Sequence, residues 1–202
     1  MNLIGHIEEN FYCSIELKKI AMEVLAPSIL AASKMLVQCI KGDHKVLSCG
    51  NGGSACDAQH FTAELVNRFI IERDNLPAIS LTADMAVLTA IANDYVYQEV
   101  FAKQVKALGR EGDVLLAIST SGKSQNVIRA IQEARARKMR IIALTGGDSG
   151  LVEKLLSGAD INICVPSRVT PRIQEVHVLI IHCLCDLLDR QLFGKASESD
   201  KI

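Results

Sequence analysis

The chain opens on helical spacing. Ile7, Phe11, Ile15 and Leu17 form one apolar stripe, and Val24, Ile29, Leu30, Met35, Leu36 and Ile40 form another. This predicts helix over residues 3–41. Pro27 falls between the stripes and is expected to break the segment or to start a second helix, because proline lacks an N–H and crowds the preceding turn. After Gly42-Asp43 the pattern changes. Short apolar runs (Lys45–Cys49, Ala78–Thr82, Val114–Ser119, Arg140–Thr145, Ile161–Val165) alternate with amphipathic stretches (Ala55–Phe69, Met85–Ala92, Gln98–Leu108, Lys123–Arg137, Leu151–Leu156). Runs that are apolar throughout read as strands buried on both faces. Their alternation with helices predicts an α/β fold, a parallel five-stranded sheet flanked by helices. A last helix is expected from about Pro171 to Phe193, with Thr170 as N-cap and Pro171 at the first helical position. Its middle, Val178–Cys185, is apolar on every face, as in a helix buried all round. With the N-terminal helices it is expected to form a layer that packs partner subunits. Residues 194–202 are polar and are expected to fray. No repeat or linker divides the chain, so residues 1–202 read as a single domain.

Composition narrows the function classes. With 202 residues, 49% of them hydrophobic and 22% charged, the chain can build one sizeable core. A net charge of -1 gives no electrostatic footprint for nucleic acid or a membrane surface. No run of 18 apolar residues is present, so no segment is expected to cross a bilayer. The first residues are mixed and acidic, without a leader pattern. The seven cysteines are odd in number and form no CxxC pair. That usage fits reduced, buried thiols and a cytoplasmic location.

Candidate chemistry concentrates at the carboxyl ends of the predicted strands, where ligands bind in such folds. Ser119-Thr120-Ser121-Gly122-Lys123-Ser124 follows the central apolar run and enters a predicted helix. Hydroxyls and backbone N–H groups at a helix N-terminus can cradle a phosphate; an ordinary serine-rich turn with an N-cap has the same residues. Cys49-Gly50-Asn51-Gly52-Gly53-Ser54 leaves the first strand in the same way, its glycines permitting close approach to a ligand or merely a tight turn. It is not a dinucleotide fingerprint.

His60 and Glu64 are four apart and share a helix face. They suit a divalent metal or a general base, and equally a surface pair. His182 sits in the all-apolar helix, where a lone histidine is often a satisfied core residue. Gln174 precedes it by eight residues, about 12 Å along a helix and about 80° around it. One metal reached by both therefore needs a bent helix or a second subunit. Asn93-Asp94 ends a short apolar helix and reads as a sugar-hydroxyl contact or a C-cap. Arg135, Arg137, Lys138 and Arg140 read as a solvated helix end.

Taken in order, Cys49–Ser54, His60…Glu64, Asn93-Asp94, Ser119–Ser124 and Arg172-Ile173-Gln174-Glu175…His182 resemble the sugar isomerase (SIS) domain family, most closely its sedoheptulose-7-phosphate isomerase branch. The resemblance spans nearly the whole chain. It implies a flavodoxin-like sheet and a homotetramer with active sites between subunits. It also implies aldose–ketose isomerisation of sedoheptulose 7-phosphate to D-glycero-D-manno-heptose 7-phosphate through an enediol, towards the heptose of lipopolysaccharide. Carried over residue by residue, it assigns a zinc ion to His60, Glu64, Gln174 and His182. It assigns substrate contacts to Asn51, Gly52, Gly53, Ser54, Glu64, Asn93, Asp94, Ser119, Thr120, Ser121, Ser124 and Gln174. Glu64 is the expected base and His182 the acid partner.

Leu88–Asp94 and Cys183–Asp189 also resemble a branch of the family that serves as a tetrameric scaffold for the replication initiator DnaA. The well-known member of that branch lacks the residues at the Glu64 and His182 positions, which this chain keeps. A phosphosugar sensor without turnover is a further alternative, although such modules usually accompany a DNA-binding domain. Pro171 stands where some isomerases of the family carry Asp, which puts one substrate contact in doubt.

Overall fold

Every residue of the central strand is buried, and its side chains divide between two cores. Val114, Leu116 and Ile118 enter one cluster while Leu115 and Ala117 enter the other. That alternation is the strand period of two, and it requires a covering layer on each face of the sheet. The structure, a computed structural model, describes residues 1–194. The five strands are β1 (Val46–Cys49), β2 (Ala78–Ser80), β3 (Val114–Ile118), β4 (Arg140–Gly146) and β5 (Ile161–Val165). The helices are α1 (Leu3–Lys41), α2 (Gly53–Val66), α3 (Met85–Asp94), α4 (Ala102–Leu108), α5 (Gln125–Ala136) and α6 (Thr170–Phe193). All strand pairs are parallel, in the order β2-β1-β3-β4-β5. The buried face of α1, together with α2 and α6, packs on one side of the sheet; α4 and α5 pack on the other. This is the expected flavodoxin-like arrangement.

The chain order reverses between β1 and β3: the path leaves β1 towards β2 and leaves β3 towards β4. The loops after these two neighbouring strands therefore part, and the crevice between them is where an α/β sheet takes its ligand. The glycine-rich and serine-rich turns are those two loops.

Several expectations need correction. Pro27 does not break the N-terminal helix, since α1 runs unbroken past it. Pro27 and Glu23, whose carbonyl loses its helical partner, are both exposed, so the unpaired carbonyl need not be desolvated. The packing of α1 against α6 and β5 holds the rest straight through. Residues 151–156 form only a single 3-10 turn, Glu153–Leu155. The segment is bounded by Gly150 and Gly158 and is too short to offset helix nucleation. Helix over 98–108 divides into a 3-10 turn at Tyr97–Glu99 and then α4, because Val100 and Phe101 turn into the core at the corner. Val169 is the N-cap of α6, with Thr170 already helical.

α1 also holds an 18-residue window of mean hydropathy 1.6, long and apolar enough to cross a membrane by composition, although charged residues interrupt it. Of that window 39% is buried inside the fold, as in a helix that docks on its own domain. All seven cysteines are free, but Cys13 and Cys56 are exposed rather than buried. The expected tail begins at Gly194, and from residue 195 it lies outside the described residues.

Candidate active site

The β1 loop needs its glycines for space. A Cβ on Gly50 would stand 2.4 Å from the carbonyl oxygen of Ser54, and one on Gly53 would stand 2.5 Å from Nε2 of Gln174. Gly52, the N-cap of α2, has a φ of 56°, which favours glycine. Asn51 projects between these glycines. Its amide pairs head to head with Asn126 in the first turn of α5, each Nδ2 donating to the other's Oδ1 at 2.8 Å. Tyr97 donates its hydroxyl to Asn51 Oδ1 at 3.0 Å. The β1 loop is thus tied across the crevice to the start of α5.

The β3 loop turns at Gly122 (φ 62°), where a Cβ would overlap the backbone of Ser149. Ser124 is the N-cap of α5, yet its side chain caps nothing in the helix. Its Oγ instead meets Ser119 Oγ at 3.1 Å. Asn126 Oδ1 accepts from the N–H of Val127. The first N–H groups of α5 and the hydroxyls of Ser119 and Ser124 are thereby grouped at the positive end of the helix, with Thr120 and Ser121 beside them, the arrangement that binds anions. Lys123 and Arg168 line a cavity of about 240 Å³ next to Thr120 and Ser121. Both cations, behind a backbone hydrogen bond from Gly150, hold the Asp148 carboxyl below its ordinary range.

The third part of the site lies between α2 and α6. His60 Nε2 is 3.0 Å from Glu64 Oε1 and 3.4 Å from His182 Nε2. The His60 and His182 rings meet edge to face at 5.0 Å, and Phe69 stacks on His182 at 5.6 Å. Burial, then the neighbouring His60, lowers the pKa of His182, while Glu64 raises it. On balance the protonated ring of His182 is disfavoured. His60 stands in the middle of a chain of contacts, and among the described residues no three His, Cys, Asp or Glu side chains gather as a metal cage. Gln174 lies against Gly53 at the start of α2, seven residues before His60.

The structure thus brings together Asn51, Gly52, Gly53, Ser54 and Gln174 at one end of α2, His60, Glu64 and His182 at the other, and Ser119, Thr120, Ser121 and Ser124 across the crevice. Asn93 and Asp94 end α3 on the surface; Asn93 donates to Asp94 at 3.0 Å, and neither bonds to the two loops. Cys49, beside the site, is inert, since burial pushes its thiol up to about 12.

Three residues escaped the sequence reading. Asn126 carried a signal, a poor helix former in the first turn of a helix and on its buried face. Tyr97 carried none. Asp57, buried on α2 between the two groups, has a carboxyl oxygen without a hydrogen-bond partner, and burial pushes its pKa up to about 6.

Comparison with known proteins agrees with this architecture. The SIS domain family model matches residues 13–146. The phosphoheptose isomerase of Shewanella frigidimarina is 58% identical over 197 residues, covering 98% of this chain and 100% of that protein. The solved structure of a phosphoheptose isomerase from Francisella tularensis superposes with a TM-score of 0.92 at 47% identity, covering 94% of this chain and 100% of that one. The corresponding enzyme from Neisseria gonorrhoeae gives 0.89 at 47% identity, covering 93% and 99%. The chain belongs to the SIS-domain family and, within it, to the phosphoheptose isomerases.

Proposed function

We propose that this protein interconverts sedoheptulose 7-phosphate and D-glycero-D-manno-heptose 7-phosphate, supplying the heptose of lipopolysaccharide in the cytoplasm. The observation that carries the reading is the contact of Glu64 and His182 with the same imidazole, His60, between α2 and α6. The serine loop takes the phosphate. Glu64 takes a proton from C1 of the ketose as the C2 oxygen gains one from the acid partner His182, which gives the enediol. The C1 hydroxyl then loses its proton while C2 receives one, leaving the carbonyl at C1. Each proton removed is returned, so no redox cofactor is required. His182 gives its proton to the C2 oxygen and regains one from the C1 hydroxyl, so it ends the cycle as it began.

A zinc ion fits the donor set. Two imidazole nitrogens on one tetrahedral zinc stand about 3.3 Å apart at usual Zn–N lengths, and those of His60 and His182 are 3.4 Å apart. His60, Glu64, His182 and Gln174 would hold it, Gln174 joining by movement or from a second subunit. When bound, zinc would polarise the substrate carbonyl.

We further propose a homotetramer. Leu3, Ile4, Ile7, Phe11 and Tyr12 are exposed along the start of α1. An apolar groove of about 670 Å³ runs between α1 and α6, lined by Met22, Leu25, Ile29 and Leu179 among others. Surfaces this apolar are usually covered by another chain.

Purified protein should turn over sedoheptulose 7-phosphate, with a change in rate on adding or chelating zinc. A folded tetramer without turnover under any metal condition would instead favour the DnaA scaffold.

A further inference from the structure

Arg73 lies in the loop between α2 and β2, yet its side chain is only 2% exposed. Arginine is seldom buried so fully unless it is paired. Its Nε donates to Asp189 Oδ1 on α6 at 3.0 Å. Nη2 donates to the carbonyl of Glu64 at 2.7 Å, and Nη1 to the carbonyls of Leu65 at 2.8 Å, Asp74 at 3.1 Å and Asn67 at 3.2 Å. The carbonyls of Glu64, Leu65 and Asn67 belong to the last turn of α2, which has no helical donors of its own and favours a cation. Asp189 is likewise buried, its side chain 6% exposed, and its second oxygen has no partner among the described residues.

Asp189 follows His182 by seven residues, about two turns, so both project from one face of α6. The two helices are therefore joined twice along one line. One junction is His60 with His182. The other runs from the backbone of Glu64 through Arg73 to Asp189. A residue that only stapled the loop would need neither the Glu64 carbonyl nor an acid in phase with His182.

We propose that Arg73 is a positioning residue of the isomerase, fixing through Asp189 the register in which α2 presents Glu64 to His182. The inference rests on the reading of Glu64 and His182 as the acid–base pair. A lysine keeps a charge for Asp189 but cannot fork to several carbonyls at once. Arg73→Lys is thus expected to lower kcat by about tenfold or more and to leave KM within about threefold, because the serine loop stands on other elements. Circular dichroism and oligomeric state should match the parent. Asp189→Asn, which keeps an acceptor but loses the charge, should show the same split and serves if Arg73→Lys does not fold.

Glu64→Gln is assayed beside them. If Glu64→Gln is dead and folded Arg73→Lys keeps its kcat, the positioning role alone is overturned. A fall in stability or a rise in KM with kcat unchanged overturns it too, as does failure of both brace variants to fold. If Glu64→Gln stays active, the reading of the pair fails, and the positioning role fails with it.

Discussion

The loop Ser119–Ser124 is built from six consecutive residues, whereas His60 and His182 meet across 122 positions of the chain. In the loop, β3 ends, Gly122 turns and α5 begins, and the donors converge because adjacent residues have no other course. In the cluster, nothing local aims one imidazole at the other. Their contact depends on α2 and α6 lying side by side on the sheet, and so on the burial of Ala58, Phe61 and Leu65 with Ile180, Ile181 and Leu184. A site made of both kinds of part should fail in two ways. Damage to the loop should weaken binding and leave the chemistry, while damage to the cluster should do the reverse.

The largest effect is expected at Glu64. Glu64→Gln keeps shape and hydrogen bonding to His60 but cannot take a proton. Turnover should fall by about two to four orders of magnitude. Phosphosugar binding, followed by calorimetry, should change little, and the oligomer should persist. A variant that binds poorly but turns over normally when saturated would reverse the assignment of the two parts.

Next comes a difference in pH response. His177 lies on the same helix as His182, fully buried, with Nε2 3.0 Å from the carbonyl of Thr145 on β4. In the neutral ring Nε2–H donates to that carbonyl, and Nδ1 is buried without a partner. A second proton would have no acceptor, and burial lowers the pKa from 6.5 to about 4. Between these values the unfolded chain binds more protons than the folded one. Stability therefore falls as pH drops from 6.5 towards 4, by about 3 kcal/mol in total. Asp57 has the opposite sign, since its raised pKa makes stability fall as pH rises from 3.8 to about 6. The difference between the parent and His177→Gln separates the two: chemical denaturation across pH 4 to 7 should show the acid loss from this residue disappear in the variant. A parallel loss in both proteins would mean that α6 is not anchored through a neutral His177.

The same contrast decides what was legible in the sequence. The strands could be read because β3 and β4 are buried almost without interruption and carry their own signature. The two ligand loops could be read because their glycines and serines stand at strand ends. His60 with Glu64 could be read as a helix-face pair from its spacing alone. The partnership of either with His182 could not, since a histidine in an apolar helix looks the same with or without a polar partner. His177 illustrates the ambiguity: five residues earlier on the same helix, it is a core histidine bonded only through Nε2, to the backbone of Thr145. Pro27 does not act as a breaker because α1 packs along its length and the residues at the lost bond are exposed. Arg73 carries no local signal, because its burial depends on Asp189, 116 residues away.

A moderate effect is expected from the loop itself. Replacing Ser119 and Ser124 together by Ala removes two hydroxyls but leaves the backbone N–H groups of α5. KM should rise by about tenfold or more, the order expected for losing one hydrogen bond to a charged group, with kcat within about threefold. Thermal unfolding should barely shift, since the pair bond mainly to each other. An unchanged KM would remove the hydroxyls from the phosphate site and leave only the helix N-terminus.

The smallest effect tests the join between the two loops. Tyr97→Phe deletes one hydroxyl, whose only hydrogen bond among the described residues is to Asn51 Oδ1, and leaves the Asn51–Asn126 amide pair in place. Tyr97 is itself exposed, so water can take the vacated position on Asn51, and the net loss should be about 0.5–1 kcal/mol. Asn51 belongs to the loop after β1, but its partner Asn126 belongs to the helix that carries Ser124. A looser Asn51 should therefore act on binding, as the serine loop does, with a two- to fivefold rise in KM and an unchanged kcat. A fall in kcat at constant KM would mean that Asn51 serves the α2–α6 cluster instead. The division between binding and chemistry would then run through the β1 loop rather than between the two loops.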